Sequence, residues 1–149
     1  MKKILSVILF LVPTLIFCQS EKISAKLTTS PKETFSKVVQ TLALDGFSIS
    51  FSDADAGVIT TQPKEQKVTK DQCDCGSFIG NYLSDKRTFT TLTYQVVIKD
   101  STINVVLNVT GVYKVNNNLF IQSRQADKQL RCTSKGVLER EFIDKVLVK

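Results

Sequence analysis

The chain has 149 residues, of which 42% are hydrophobic and 23% charged, with a formal net charge of +6 and a mean hydropathy of +0.01. This composition excludes a collagen, a disordered chain and a polytopic membrane protein. The sequence contains neither His nor Trp, so it lacks the commonest general base and the commonest metal-binding side chain.

The first 18 residues have the features of a secretory signal peptide. Lys2 and Lys3 precede a mostly apolar run at 4–17, which is shorter than the roughly 20 residues that span a bilayer. Loss of these two lysines with the leader lowers the net charge from +6 to +4, too little to indicate nucleic-acid binding. We predict a signal peptide at 1–18, a single domain at 19–149 and a periplasmic or secreted product.

Cys18 allows two routes of processing. The segment from Leu15 to Cys18 resembles the lipobox of bacterial lipoproteins, in which the cysteine is lipidated, but that pattern has a small residue where Phe17 stands. We favour ordinary cleavage after Cys18. The alternative is lipidation of Cys18, which gives an outer-membrane lipoprotein whose membrane contact is the lipid anchor alone.

The first elements of the mature chain are a strand and an amphipathic helix. Residues 22–28 alternate between apolar and polar side chains, as in a strand with one buried face. Ser30 and Pro31 then form an N-cap and first-turn pair that predicts a helix, and Gly46 is placed to end it.

A hairpin and a long loop follow. Phe47, Ile49 and Phe51 alternate with serines and predict a strand with one apolar face, paired with a strand at 58–61. Residues 63–85 show no sustained period, so we predict a long loop there, with a short helical turn near 78–83.

The second half of the sequence has the strongest strand pattern. Two long strands at 92–98 and 103–109 each have one apolar face. A turn at 116–118 and a short strand at 119–122 are predicted next, and a last helix begins near Ser134. The polar residues of the predicted strands, including the strand at 47–51, form the opposite face of the sheet: Ser48, Ser50, Thr91, Thr93, Gln95, Asn104, Asn108 and Thr110.

These elements predict an α+β two-layer sandwich in the order β-α-β-β-β-β-α. The alternation favours a mainly antiparallel sheet of about five strands with one solvated face. Each helix has one apolar stripe, so we expect both helices on the same face of the sheet.

The stretch from Ser30 to Pro63 resembles a module of bacterial envelope lipoproteins. The capped helix, the segment Leu-Asp-Gly-Phe-Ser-Ile-Ser-Phe and the segment Asp-Ala-Gly-Val-Ile-Thr-Thr are similar to small α+β domains of the BamC type. The resemblance implies a periplasmic scaffold or binding module without catalytic residues. We expect one such domain in this sequence, without the long unstructured leader of those proteins.

Three cysteines follow the leader. In an exported protein, Cys132 is a natural disulfide partner for Cys75 or Cys73, and we prefer Cys75 because Gly76 gives the backbone freedom there. The alternatives are a redox centre, which Asp74 would oppose by its charge, and a metal site, which lacks a fourth ligand. We therefore predict a structural disulfide, no metal and no cofactor.

The basic residues of the loops suggest contacts with an anionic surface. If the disulfide brings the loops together, their lysines and arginines could form a cationic edge that attracts lipid head groups or envelope polymers. The alternative is ordinary solvated charge. The candidate contacts are Lys64, Lys67, Lys70, Arg124, Lys128 and Arg131.

The sequence therefore favours a non-catalytic binding or scaffold module of the cell envelope, with an unknown envelope protein or polymer as its partner. No nucleophile motif and no glycine-rich phosphate loop supports an enzyme. The alternative is a small apolar-ligand carrier of the helix-grip type, with Phe47, Phe51, Tyr94 and Phe142 around a cavity. A thiol-based metal or redox protein is a further alternative.

Overall fold

The computed structural model describes residues 22–77, 80–115 and 126–147. Within these residues the chain is α+β, with two helices and a mostly antiparallel, open sheet of eight strands instead of about five. The elements are β1 (Ile23–Lys26), α1 (Pro31–Leu44), β2 (Ile49–Asp53), β3 (Val58–Thr61), β4 (Lys64–Glu65), β5 (Cys73–Asp74), a 3₁₀ turn (Tyr82–Ser84), β6 (Thr88–Lys99), β7 (Thr102–Tyr113), β8 (Lys128–Ser134) and α2 (Val137–Leu147).

The hairpin of β6 and β7 forms the centre of the sheet. Its twelve pairs run without interruption from Thr88 opposite Tyr113 to Lys99 opposite Thr102. Both β3 and β4 pair with β6, while β1 and β8 pair with β7. Beyond them, β2 pairs with β3, and β5 pairs with β8.

The helices cover one face of this sheet, which we call the core face. Its residues on β6 and β7 are those that the alternation predicted: Leu92, Tyr94, Val96, Ile98, Ile103, Val105, Leu107 and Val109. α1 packs against them with Val38 and Leu42, and α2 packs against them with Phe142 and Val146. An ion pair of 2.9 Å between Lys145 Nζ and Asp45 Oδ2 joins the C-terminal ends of the two helices.

α1 begins and ends where its sequence predicts. The hydroxyl of Ser30 accepts a hydrogen bond of 3.2 Å from the Glu33 N–H, and Pro31 occupies the first turn. At the other end, Gly46 has a φ of +76°, a left-handed conformation that glycine adopts without steric cost. Local signals therefore determine the helix bounds without help from the core.

The predicted alternation fails in β2. Ile49 lies opposite Thr61, but Phe51 lies opposite Thr60, so Ser50 is an extra residue that forms a β-bulge. Because side chains alternate every residue along a strand, one extra residue moves Phe51 to the face opposite the helices, which we call the outer face. Phe51 is 55% exposed there, and the prediction that it shares a buried face with Phe47 and Ile49 is wrong.

The predicted loop at 63–85 contains two short strands, β4 and β5, and the 3₁₀ turn at Tyr82–Ser84, which overlaps only the end of the helical turn predicted near 78–83. Between the strands, the chain packs into the core with Val68, which is 1% exposed. The Thr90 hydroxyl donates to the Gln66 carbonyl, and the Lys135 N–H donates to the Gln72 carbonyl at 2.9 Å. These contacts hold the segment against β6 on one side and against the end of β8 on the other. The predicted order lacks three strands: β4, β5 and β8.

Several predictions concern residues outside the described ranges. They are the signal peptide at 1–18, the lipidation site Cys18, the turn at 116–118, the strand at 119–122 and the basic residue Arg124. Among the helices of residues 22–77, 80–115 and 126–147, none is long and apolar enough to cross a membrane.

Candidate functional site

The disulfide between Cys75 and Cys132 is the pairing that we preferred from the sequence. It extends the ladder of β5 and β8, in which Cys73 lies opposite Ser134. Gly76, which follows the bonded cysteine, has a φ of +78°. The bond therefore attaches the long segment before β6 to the strand that leads into α2. Within the described ranges, no group of three or more Cys, Asp or Glu residues is placed to hold a metal ion.

Cys73 is a free thiol in the core. Its side chain is buried, and burial raises its pKa from the ordinary value of 9.0 to about 11. The negative charge of Glu139 acts in the same direction, while Lys135 opposes it. The thiolate is the reactive form of cysteine, so this environment makes Cys73 a poor nucleophile.

We expect Cys73 to react slowly with Ellman's reagent in the native protein. A rise in pKa from 9.0 to about 11 lowers the thiolate fraction at neutral pH by about a hundredfold, and burial adds to the delay. The measurement compares the reaction rate before and after unfolding in urea, on product cleaved after Cys18. Equal rates in the two states would contradict the burial of this thiol and would favour a redox role for Cys73.

Glu139 lies fully buried beside this thiol. Its Oε2 accepts a hydrogen bond of 2.8 Å from the Ser134 hydroxyl, whose oxygen accepts one from the Gly136 N–H at 3.2 Å. Its Oε1 has no hydrogen-bond partner among the residues that the structure describes. This chain of contacts holds the start of α2. Sequence reasoning missed Glu139 because a glutamate in the first turn of an amphipathic helix is ordinarily solvated.

The predicted anionic-surface contacts that lie among the described residues do not share one face of the sheet. Lys64 lies on the helix side, where its Nζ donates to the Asp45 carbonyl and stands 4.6 Å from the centre of the Phe47 ring. Lys128 Nζ donates to the Tyr82 hydroxyl at 2.7 Å. Arg131, opposite Thr110, belongs to the outer face.

Lys67 and Lys70, although close in sequence, have different surroundings. The Lys70 carbonyl accepts a hydrogen bond of 2.6 Å from Lys135 Nζ, near the end of β8. Lys67 lies instead beside Lys86 in a groove of about 230 Å³, which Phe89 also lines. Phe89 is 40% exposed, and Lys114 Nζ stands 4.7 Å from the centre of its ring. We call Lys67, Lys86, Phe89 and Lys114 the basic-aromatic end.

The aromatic residues of the carrier hypothesis pack against one another. The ring centres of Phe47 and Tyr94 are 5.0 Å apart, and those of Tyr94 and Phe142 are 5.1 Å apart, while Phe51 lies on the outer face. A cleft of about 200 Å³ opens beside these rings, with Asp45, Glu141 and Lys145 also lining it. These contacts are those of a filled core with a small charged cleft at its margin.

A larger groove, of about 730 Å³, lies at one end of the sheet. It runs between the first turn of α1 and the turns that follow β2 and β6. Charged residues lie among its apolar ones, and the full lining is Pro31, Lys32, Phe35, Ala54, Asp55, Ala56, Gly57, Ile98, Lys99 and Asp100. Its position at the sheet end differs from the cavity between helices and sheet that the carrier hypothesis requires.

The outer face combines polar rows with an apolar band. Among the polar side chains, Thr91 and Thr110 are joined across β6 and β7 by a hydrogen bond of 2.7 Å between their hydroxyls. The register places four apolar side chains diagonally across β2, β3, β6 and β7, and we call them the apolar band: Phe51, Val58, Val97 and Val106. Phe51 is exposed and the three valines are half-buried.

No described helix lies on the outer face, so the apolar band remains accessible within the part of the chain that the structure describes. The polar residues of this face were predicted from alternation, but the band was not. Val97 and Val106 hold the outer positions of β6 and β7, so alternation alone could have found them. Phe51 could not be found in this way, because the bulge at Ser50 has no signal in the sequence.

No protein-family model matches this chain, and a comparison with curated proteins finds no match. The resemblance to domains of the BamC type thus stays a prediction.

Proposed function

We propose that this protein is an exported, non-catalytic binding module of the bacterial cell envelope, which holds a partner protein or polymer against the outer face of its sheet. The observation that carries the proposal is the apolar band. Contiguous apolar side chains on an accessible surface are characteristic of interaction sites.

The band has the composition of a binding surface. Phe51 supplies a large aromatic side chain that is 55% exposed, of the kind that dominates the binding energy of many interfaces. The valines around it are surrounded by polar groups such as Thr60 and Gln95, which offer hydrogen bonds at the rim. Because Phe51 lies on the edge strand β2, a partner could also pair with the free side of that strand.

Other features support export and a role without catalysis. The leader has the pattern of a signal peptide, and disulfides such as Cys75–Cys132 persist mainly in oxidising compartments. The remaining thiol, Cys73, is buried and has a raised pKa, which opposes nucleophilic chemistry.

A crosslinking experiment tests the proposal. A photo-crosslinking amino acid is placed at position 51 or, as a control, at position 44 in the full chain, expressed in its native cells. Leu44 is 88% exposed on α1, on the helix side of the molecule. We expect a reproducible adduct in the envelope fraction from position 51 alone. Equal yields from both positions, or adducts confined to the cytosol, would refute the proposal.

The variant Phe51→Ser is the matching mutational test. Removing a ring that is more than half exposed should lower the free energy of unfolding by only about 1 kcal/mol, while affinity for the crosslinked partner should fall by about tenfold or more. Binding of the purified partner and denaturation in urea measure the two effects. Unchanged affinity would mean that the band is not the contact surface.

A further inference from the structure

We propose that the basic-aromatic end docks on an anionic lipid surface, with Phe89 entering the head-group layer and the lysines facing lipid phosphates. This surface is distinct from the apolar band. Phe89 and Val97 both lie on the outer face of β6, but they are eight positions apart, or about 26 Å at the usual rise of a strand.

The geometry at this end is that of an aromatic anchor among cations. Phe89 lies opposite Val112 on the outer face, and its ring is 40% exposed. Lys67 and Lys86 line the same groove of about 230 Å³ as Phe89, and the ammonium of Lys114 lies over the ring at 4.7 Å. A lipid phosphate in this groove would meet two ammonium groups beside an apolar ring.

The charges around the groove leave this end positive. Arg87 is already paired with Asp85 at 2.7 Å, so these two charges cancel. In the groove, Glu65 stands against Lys67 and Lys86. Beside it, Lys114 adds a positive charge and Asp127, which accepts a hydrogen bond of 3.4 Å from the Val115 N–H, adds a negative one, so the lysines outnumber the carboxylates. All three lysines are exposed, so their ammonium groups can approach a surface without breaking a buried contact.

The exposed ring favours a lipid surface over a soluble anionic polymer. A polymer would satisfy the lysines but leave Phe89 in water. A bilayer offers phosphate groups above an apolar layer, and peripheral proteins bind it with aromatic residues flanked by lysines. Each lysine close to such a surface increases binding by about fivefold, so we expect the three lysines and the apolar area of Phe89 to give reversible docking together.

The test is cosedimentation of the full exported product with vesicles. The vesicles contain phosphatidylcholine alone or with phosphatidylglycerol. Mass spectrometry first verifies that the protein used has no acyl group on its N-terminus. We expect binding to vesicles with phosphatidylglycerol that weakens with added salt. The double variant Lys67→Gln/Lys86→Gln should bind about 25-fold more weakly. Phe89→Ser should also weaken binding, but with little change in the salt dependence.

The matched control is Lys26→Gln/Lys99→Gln. It removes the same charge from exposed lysines at the opposite end of the sheet, where both residues flank Thr102. This variant should bind almost as the unchanged protein does. Equal losses for the two double variants would show attraction by net charge alone and would overturn the proposal.

Binding to dextran sulfate without binding to the anionic vesicles would also overturn it, in favour of a polymer partner. Thermal denaturation of each variant checks that the fold is intact. Since the vesicles contain no protein and Phe51 is unchanged, failure of this test leaves the proposed function of the apolar band untouched. Conversely, failure of crosslinking at position 51 leaves lipid docking untouched.

Discussion

Replacement of both Cys75 and Cys132 by alanine is expected to lower the free energy of unfolding by about 4 kcal/mol. The bond closes a loop across a sequence separation of 57, and a crosslink of that span removes much of the entropy of the unfolded chain. The bond also lies where β5 has only two residues in register with β8, so few hydrogen bonds can compensate. Urea denaturation of the oxidised protein and of the double variant measures the difference.

Cys73→Ala is the control for the effect of losing sulfur atoms from this region. It leaves the disulfide in place and removes a single buried thiol, so we expect a loss of about 1 kcal/mol. If the double variant proved no less stable than this control, the crosslink would have no stabilising role. A smaller slope in the denaturation of the oxidised protein should accompany the effect, because the crosslinked unfolded chain exposes less surface.

Leu42→Ala is expected to cost about 3 to 4 kcal/mol of stability. Leu42 is fully buried on α1 and belongs to the cluster that joins this helix to the core face. Its truncation removes apolar contacts and leaves a cavity that a packed interior cannot fill. The measurement is the midpoint and slope of urea denaturation.

α1 provides the matching control in Leu44. This residue has the same side chain two positions later but is 88% exposed, so Leu44→Ala should change stability by less than about 0.5 kcal/mol. The change from Leu to Ala alters helix propensity by only a few tenths of a kcal/mol at most, which leaves burial as the main difference between the two variants. Comparable losses in both variants would contradict the position of α1 on the core face.

The parts of the fold that the sequence predicts are those whose signals are local. Ser30, Pro31 and Gly46 determine the bounds of α1 by capping and backbone conformation, without a tertiary partner. β6 and β7 are long enough for alternation to be repeated many times, so their core face is predicted correctly. The structure extends both strands beyond the predicted bounds, to Thr88 and Tyr113.

The elements that were missed depend on tertiary partners. β4 and β5 have two residues each, too few to show a period, and they exist because β6 and β8 offer them hydrogen-bonding groups. β8 contains three polar or charged residues among its first four, which hides its alternation. The bulge in β2 changes the face of Phe51 by one inserted residue, an effect of pairing that composition does not reveal.

The same distinction applies to the candidate sites. The Cys75–Cys132 pairing was predicted from the expected export to an oxidising compartment and from Gly76, and the pairing is confirmed. The basic-aromatic end was not predicted as a unit, since Lys67, Lys86 and Lys114 are brought together only by the pairing of β6 with its neighbours. Longer alternation at the start of β6 would have placed Phe89 on the outer face, in line with Thr91 and Thr93.

The position of the disulfide has a consequence for self-association. β5 is the strand that covers the margin of β8, where the disulfide, a two-residue ladder and the hydrogen bonds from Lys135 to the carbonyls of Lys70 and Gln72 hold it. If a reducing compartment removed that bond, β5 could detach and leave the backbone groups of β8 open as a template for another chain. We therefore expect the disulfide to oppose aggregation as well as unfolding.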